Sequence, residues 1–203
     1  QFFTAGIGPD YVQNIGFVPS VASKALTGAL KTKALADHSA SDRGEISFRN
    51  ATGAVGDYTV GLITAATSLV VPSGATLGFT AAQQGYTYWY LLNNAGTVEL
   101  AVSGSLFDEG LPQSTTAIGT GSDSLGVLYS TSARSNVAIR LIAVVAITTG
   151  AVAGEWDNAH TKVKVANLPQ GPRVVAEGGG SAATFNASVS FPVAINAEVG
   201  DVI

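Results

Sequence analysis

The chain is 203 residues long, carries a formal net charge of −4 and has only 12% charged residues, about half of the ~25% usual for globular domains. It contains no Cys, which excludes disulfides, thiolate metal sites and thiol catalysis. Its Lys and Arg residues are few and scattered, so no basic stripe exists to neutralise nucleic-acid phosphates.

The first element in chain order is an irregular N-terminal arm over residues 1–20, read from Gly6, Gly8, Pro9 and Pro19. It lacks the basic start of a signal peptide. "SVASKALTGALKTKALADH", Ser20 to His38, has some helical propensity, but Leu26, Gly28 and Leu30 alternate and favour strand. "GEISFRN" places Ile46 and Phe48 on one face; "DYTVGLIT" alternates from Tyr58. "YTYWYLLNN" is aromatic and β-prone, and "TVELAVS" alternates Val98, Leu100 and Val102 against Glu99 and Ala101. Between them "NNAG", Asn93 to Gly96, is a hairpin turn, because Asn and Gly tolerate positive φ. "LGVLYS", "SNVAIRLIAVVAIT" and "TKVKVANL" follow as strands. The run from Leu141 to Gly154 is too short and too interrupted to span a bilayer.

Turn residues recur every 8–12 residues or so, the spacing of an all-β sandwich or barrel. The expected fold is therefore an antiparallel β-sandwich, jelly-roll-like or barrel-like, over residues 21–168, with the N-terminal arm of 1–20 before it. Residues 169–203 open with the Pro/Gly hinge "PQGPR" and read as a C-terminal strand extension or the start of a further module. The closing "AEVGDVI" reads as a strand cut short, and the missing initiator Met as a processed chain or a fragment.

The candidate chemistry is thin. Asp108-Glu109, in "FDEGLP", is either a turn or a cation site with oxygen ligands; adjacent carboxylates rarely face each other across a sugar. His38 and His160 are the histidines, and both read as solvated loop residues. "GTGSDS", Gly119 to Ser124, lacks the Lys and context of a phosphate loop. The sequons at Asn50 and Asn186 carry no weight. Tyr86, Tyr88 and Tyr90 share one strand face with Trp89 on the other. Together with Trp156 they are candidates for an interface or ligand contact, set against an ordinary role in the core. No catalytic, cofactor or metal-binding set emerges. From Tyr58 to Val98 there is no charged residue. Sheet edges are usually guarded by charge, so these strands either close into a barrel or bury against other subunits.

"FRNATGAVGDYTV", "LNNAGTVELAVS", "FDEG" and "LYSTSARSNVAIRLI" resemble a β-rich domain of bacteriophage tail-fibre and other virion structural proteins, over roughly Val21 to Leu168. The resemblance implies a module of a virus particle, often trimeric, and brings no catalytic residues. The expected function is thus a non-enzymatic virion structural protein, a tail-fibre or spike module acting in assembly and host attachment. Its expected partners are its own copies in a homotrimer, other virion proteins and a host surface glycan, with neither nucleic acid nor membrane insertion. The exposed loops expected to make contacts are Ala34 to Arg43, Gln113 to Ser124 and Gly150 to His160. A capsid decoration (cement) protein is the close alternative. A carbohydrate-binding module or adhesin is the alternative from another class. A hydrolase would need Asp37, Asp42, Asp108, Glu109, Asp123 and Asp157 to converge.

Overall fold

The computed structural model describes residues 11–49, 58–158, 160 and 162–165. All of them belong to the compact unit Gln1–Pro169; the second unit, Gln170–Ile203, lies outside the described residues. So do both sequons, the hinge after Leu168 and the expected C-terminal strands. The described residues are all β, with no helix. The strands are β1 (Val12–Gln13), β2 (Gly16–Ala22), β3 (Ala25–Lys31), β4 (Gly44–Arg49), β5 (Tyr58–Ile63) and β6 (Thr67–Val71). They continue with β7 (Gln84–Asn94), β8 (Thr97–Ser103), β9 (Gln113–Ala117), β10 (Tyr129–Ser130), β11 (Arg134–Thr148) and β12 (Lys162–Val165).

Part of the expected irregular arm is strand. Val12 and Gln13 pair with Ile46 and Glu45, and Gly16–Ala22 pairs along its whole length with β3. Pro19 does not prevent this: a proline is tolerated where a strand lies at a sheet edge, and β2 is such an edge. Likewise the expected contact loop Gln113 to Ser124 begins as β9.

Strand pairing closes a ring. β7 pairs β8, β8 pairs β10, β10 pairs β9, β9 pairs β11, and β11 returns to β7. The β9–β10 contact is parallel and the others are antiparallel. A closed ring leaves these strands no free edge. β5 joins β8 through Leu62 opposite Thr97 and carries β4 and then β1 outward. A separate antiparallel sheet runs β2-β3-β6.

Two apolar clusters follow from the period-two alternation of strand side chains. On β7, Trp89 and Leu91 face one cluster, while Tyr90 and Leu92 face the other. The second cluster fills the ring with Tyr90, Leu92, Ala101, Leu128, Val137, Ile139 and Leu141. The first lies outside the ring, where Trp89, Val102 and Val145 meet Phe17, Leu26, Leu30, Leu69 and Val71 of the three-stranded sheet.

β11 serves both clusters by changing phase. Val137, Ile139 and Leu141 point into the ring, yet beyond Leu141 it is Ala143, Val145 and Ile147 that point outward. The pairing with β7 shifts register between Leu141 and Ala143. One extra residue in one strand reverses the facing of every residue beyond it.

The two ends of the ring differ. Alternation places Glu99 of β8 and Asn94 of β7 beyond Leu92 and Ala101 at one end. There Glu99 takes two hydrogen bonds from the Arg134 guanidinium, 2.9 and 2.8 Å, and one from Asn94 Nδ2 at 2.8 Å. At the other end Tyr88 and Phe107 are half-buried against the cluster. Burial alone would push the Glu99 carboxyl up, but the bonds from Arg134 and Asn94 outweigh it and hold the group below its ordinary range.

The hairpin at "NNAG" forms, but its positive φ angles fall on Ala95 and Gly96, while Asn93 and Asn94 end β7. Ala95 and Gly96 both have positive φ, 48° and 92°, and Asn93 Oδ1 accepts from Gly96 N at 2.9 Å, the geometry that matches strand twist.

Two outcomes test this packing. A Cβ on Gly28 would lie 2.4 Å from the Trp89 ring and 2.5 Å from Phe17, whereas one on Gly119 meets nothing within 4 Å. Gly28→Ala should therefore cost about 1–3 kcal/mol by overpacking, several degrees of melting temperature, and Gly119→Ala should be near neutral. A carboxyl depressed in the folded state contributes stability above its unfolded pKa and loses it as pH falls through the folded pKa. Thermal melts from pH 7 downward should thus show wild type losing more stability than Glu99→Gln below roughly pH 4.3.

Candidate functional site

Three groups of residues can be ranked by what their side chains already do. The first is the aromatic strand. Trp89 is fully buried, its ring 5.0 Å from Phe17, and its Nε1 donates to Thr87 Oγ1 at 3.0 Å. Tyr90 is fully buried inside the ring, its hydroxyl accepts from Phe107 N at 2.7 Å, and it meets Phe107 edge-on. Burial pushes its phenol up, with Phe107 N acting against that and the charge of Glu109 adding to it. Trp156 is buried edge-on to Phe79, and its Nε1 donates to Ala75 O at 2.9 Å. These three are core residues, contrary to their candidacy as contact residues. Each polar tip has found a partner inside the chain, which frees the ring to be buried.

Tyr86 and Tyr88 differ. Tyr86 is 53% exposed and Tyr88 half-buried. Burial, and then the neighbouring Tyr86, push the Tyr88 phenol up. They leave an accessible pair of rings running out from one end of the ring of strands.

The second group is Asp108 and Glu109. Asp108 Oδ1 accepts from Gly110 N at 2.7 Å, closing its own turn. Half-buried Glu109 accepts from Leu141 N at 3.0 Å with its Oε1. That amide lies at the register shift of β11. One oxygen of each carboxylate is therefore engaged by backbone, and the pair shapes a corner. Among the described residues no three His, Asp or Glu side chains gather as metal ligands.

The third group was not anticipated as a unit. Gln13, Asn14, Lys33, Ser41, Asp42, Arg43 and Glu45 line an open cleft of about 470 Å³. Asn14 organises it from the left-handed region, at φ 54°, a conformation Asn adopts more readily than most residues. Its Nδ2 donates to Asp42 Oδ1 at 2.7 Å and to Arg43 O at 3.0 Å, and its Oδ1 accepts from Lys33 N at 3.0 Å. Its own carbonyl accepts from His38 Nε2 at 2.9 Å.

His38 is thus no solvated loop residue. It is 3% exposed and packs where Gly44 has no side chain, since a Cβ there would sit 2.7 Å from Nε2. Its Nδ1 has no hydrogen-bond partner among the described residues. His160 is partly exposed outside any strand.

Both oxygens of Glu45 are taken. Arg43 Nε donates to Oε1 at 2.7 Å and the Tyr11 hydroxyl to Oε2 at 2.8 Å. The Tyr11 bond holds the Glu45 carboxyl below its ordinary range, burial opposes it and Arg43 assists; the same bond raises the Tyr11 phenol. The Lys33 ammonium has no partner among the described residues, and the Arg43 fork spends only its Nε. The loop Ala34 to Arg43 carried part of this signal in the sequence. Gln13 and Asn14 were hidden in the supposed arm.

If Glu109 shapes rather than reacts, its variants should read out in stability. Glu109→Ala strips the acceptor from a backbone amide and should cost about 1–3 kcal/mol. Glu109→Gln retains a side-chain carbonyl and should recover most of that loss in thermal melts. Added Ca²⁺ at millimolar concentration should leave the wild-type melting temperature unchanged.

Compared with family models, curated proteins and solved structures, the chain matches none.

Proposed function

We propose that this chain is a non-enzymatic structural module of a virus particle, a fibre or spike component that works by assembling with copies of itself, in a trimer, and with other virion proteins. We read the three-stranded sheet lying against the ring as the sandwich half of that module. The observation that carries the proposal is β6. It ends the β2-β3-β6 sheet, carries no charge, and has Ser68 and Val70 exposed, Val70 at 46%. An edge strand with neither Lys nor Pro is open to pairing with another chain. The opposite edge, β2, has Pro19. Burial of β6 against a sister subunit would satisfy the edge backbone groups that no described strand pairs, and would cover Val70 as well.

Four of the six carboxylates that a hydrolase would need to bring together are engaged within the fold, which supports a non-catalytic reading. Asp37 pairs with Lys31, Asp42 with Asn14, and Asp108 and Glu109 with backbone. A capsid decoration protein uses the same logic of docking. A carbohydrate-binding module is the second reading, favoured by the exposed Tyr86 beside Tyr88.

Light scattering on the purified chain tests the assembly. We expect the mass of three chains, and Val70→Lys together with Ser68→Lys should yield a folded monomer with an unaltered circular dichroism spectrum. A wild-type monomer at tens of micromolar would overturn the self-assembly reading.

A further inference from the structure

We propose that the cleft between the β1–β2 turn and the β3–β4 loop binds a carboxylate-bearing saccharide, with Lys33 and Arg43 taking the acid and Gln13, Ser41 and Asp42 taking hydroxyls. The inference adds contact with a host surface to the proposed virion role and rests on that role for the saccharide; the donor-rich end of the cleft is read from the residues alone.

The cleft is assembled ahead of any ligand. Four hydrogen bonds fix Asn14, one of them from buried His38 beneath. They tie the turn before β2 to the chain at Lys33 and at Asp42–Arg43, although these are 19, 28 and 29 residues away. Preorganised polar groups bind at lower entropic cost than mobile ones.

Its charges are unequally committed. Glu45 is paired with Arg43 and also accepts from Tyr11, whereas Asp42 accepts from the neutral Asn14 amide through Oδ1 and keeps its charge. The Lys33 ammonium and the terminal nitrogens of the paired Arg43 have no partner among the described residues. The unspent N–H donors are therefore those of Lys33 and Arg43, although the lining side chains sum to zero charge. A guanidinium fork and an ammonium together match a carboxylate, the fork through paired N–H bonds and the ammonium as a point charge.

Around them lie neutral groups with capacity of both kinds. Gln13 meets the Tyr11 hydroxyl with one end of its side-chain amide and keeps the other end, Ser41 has a hydroxyl shared only with Ser39, and Asp42 keeps its second oxygen. The lining has no large apolar side chain. Hydroxyl, amide and carboxylate groups beside the donors of Lys33 and Arg43 suit a hydroxylated ring bearing an acid, and a volume of about 470 Å³ suits a short oligosaccharide.

Isothermal titration calorimetry with sialyllactose and trigalacturonic acid tests this, with lactose and maltotriose as neutral controls and sulfate as a simple anion. We expect the acidic sugars to bind at least tenfold more tightly than the neutral ones, and binding to weaken with added salt. Lys33→Ala should weaken it tenfold or more, and Arg43→Lys less than Arg43→Ala. Both side chains are exposed, and circular dichroism melts would verify that the variants fold. Absence of binding by both acidic sugars, binding indifferent to Lys33 and Arg43, or sulfate competing as well as the sugars would overturn the inference. A monomeric chain that binds them would keep the cleft and overturn only the self-assembly reading.

Discussion

The fold turns on one register shift in β11. A single strand, Arg134–Thr148, lines the interior of a closed ring with its first half and the outer core with its second. That is consistent only if the strand changes phase, and the shift between Leu141 and Ala143 does so. A shift leaves backbone groups out of step with the neighbouring strand, and an unpaired amide at a buried residue such as Leu141 is costly. Glu109 supplies the acceptor for Leu141 N. The carboxylate therefore belongs to the architecture: it sits where the chain leaves β8, because there it can reach the point at which β11 changes sides.

The second dependence is the contact of Trp89 with Phe17 across Gly28. The outer face of the ring can hold a tryptophan because the strand opposite presents no side chain at that position. Alternation on β3 then becomes Leu26, Gly28, Leu30, two large residues flanking a gap, and the indole fills the gap. One ring face and one separate sheet become a single core in this way, by complementary volume rather than by hydrogen bonding.

Much of this was legible in the sequence, and the failures have particular causes. The strands from Leu26 to Leu30, Ile46 to Arg49 and Tyr58 onward were readable because alternation is a local property, and the turn at Asn93–Gly96 because two consecutive positive φ angles demand small or amide side chains. Asn14 also has a positive φ, yet the Gly and Pro around it make its stretch read as an irregular arm. His38 was misplaced because what buries it is Gly44, and the absence of a side chain six residues away is not visible in local polarity. Trp156 was offered as a contact residue because the sequence does not show that Ala75 O, 81 residues away, takes its N–H. The cleft was illegible for the same reason: its members meet only after β1 pairs with β4 and the β3–β4 loop folds back.

The uncharged stretch from Tyr58 to Val98 divides once the strands are placed. It holds β5, β6 and β7, and lack of charge has a different cause in each. β7 is buried on both faces through its middle, from Trp89 to Leu92, so the chain's own core accounts for it. β5 is a paired strand of the ring's outer arm, between β4 and β8. β6 alone is both uncharged and at the end of its sheet, with alternate residues facing water. Nothing within the described chain explains why a selected sequence would leave that edge without a lysine. The inference from low charge to assembly therefore rests on the five residues Thr67–Val71, not on the whole stretch, and a mutational series confined to them can decide it.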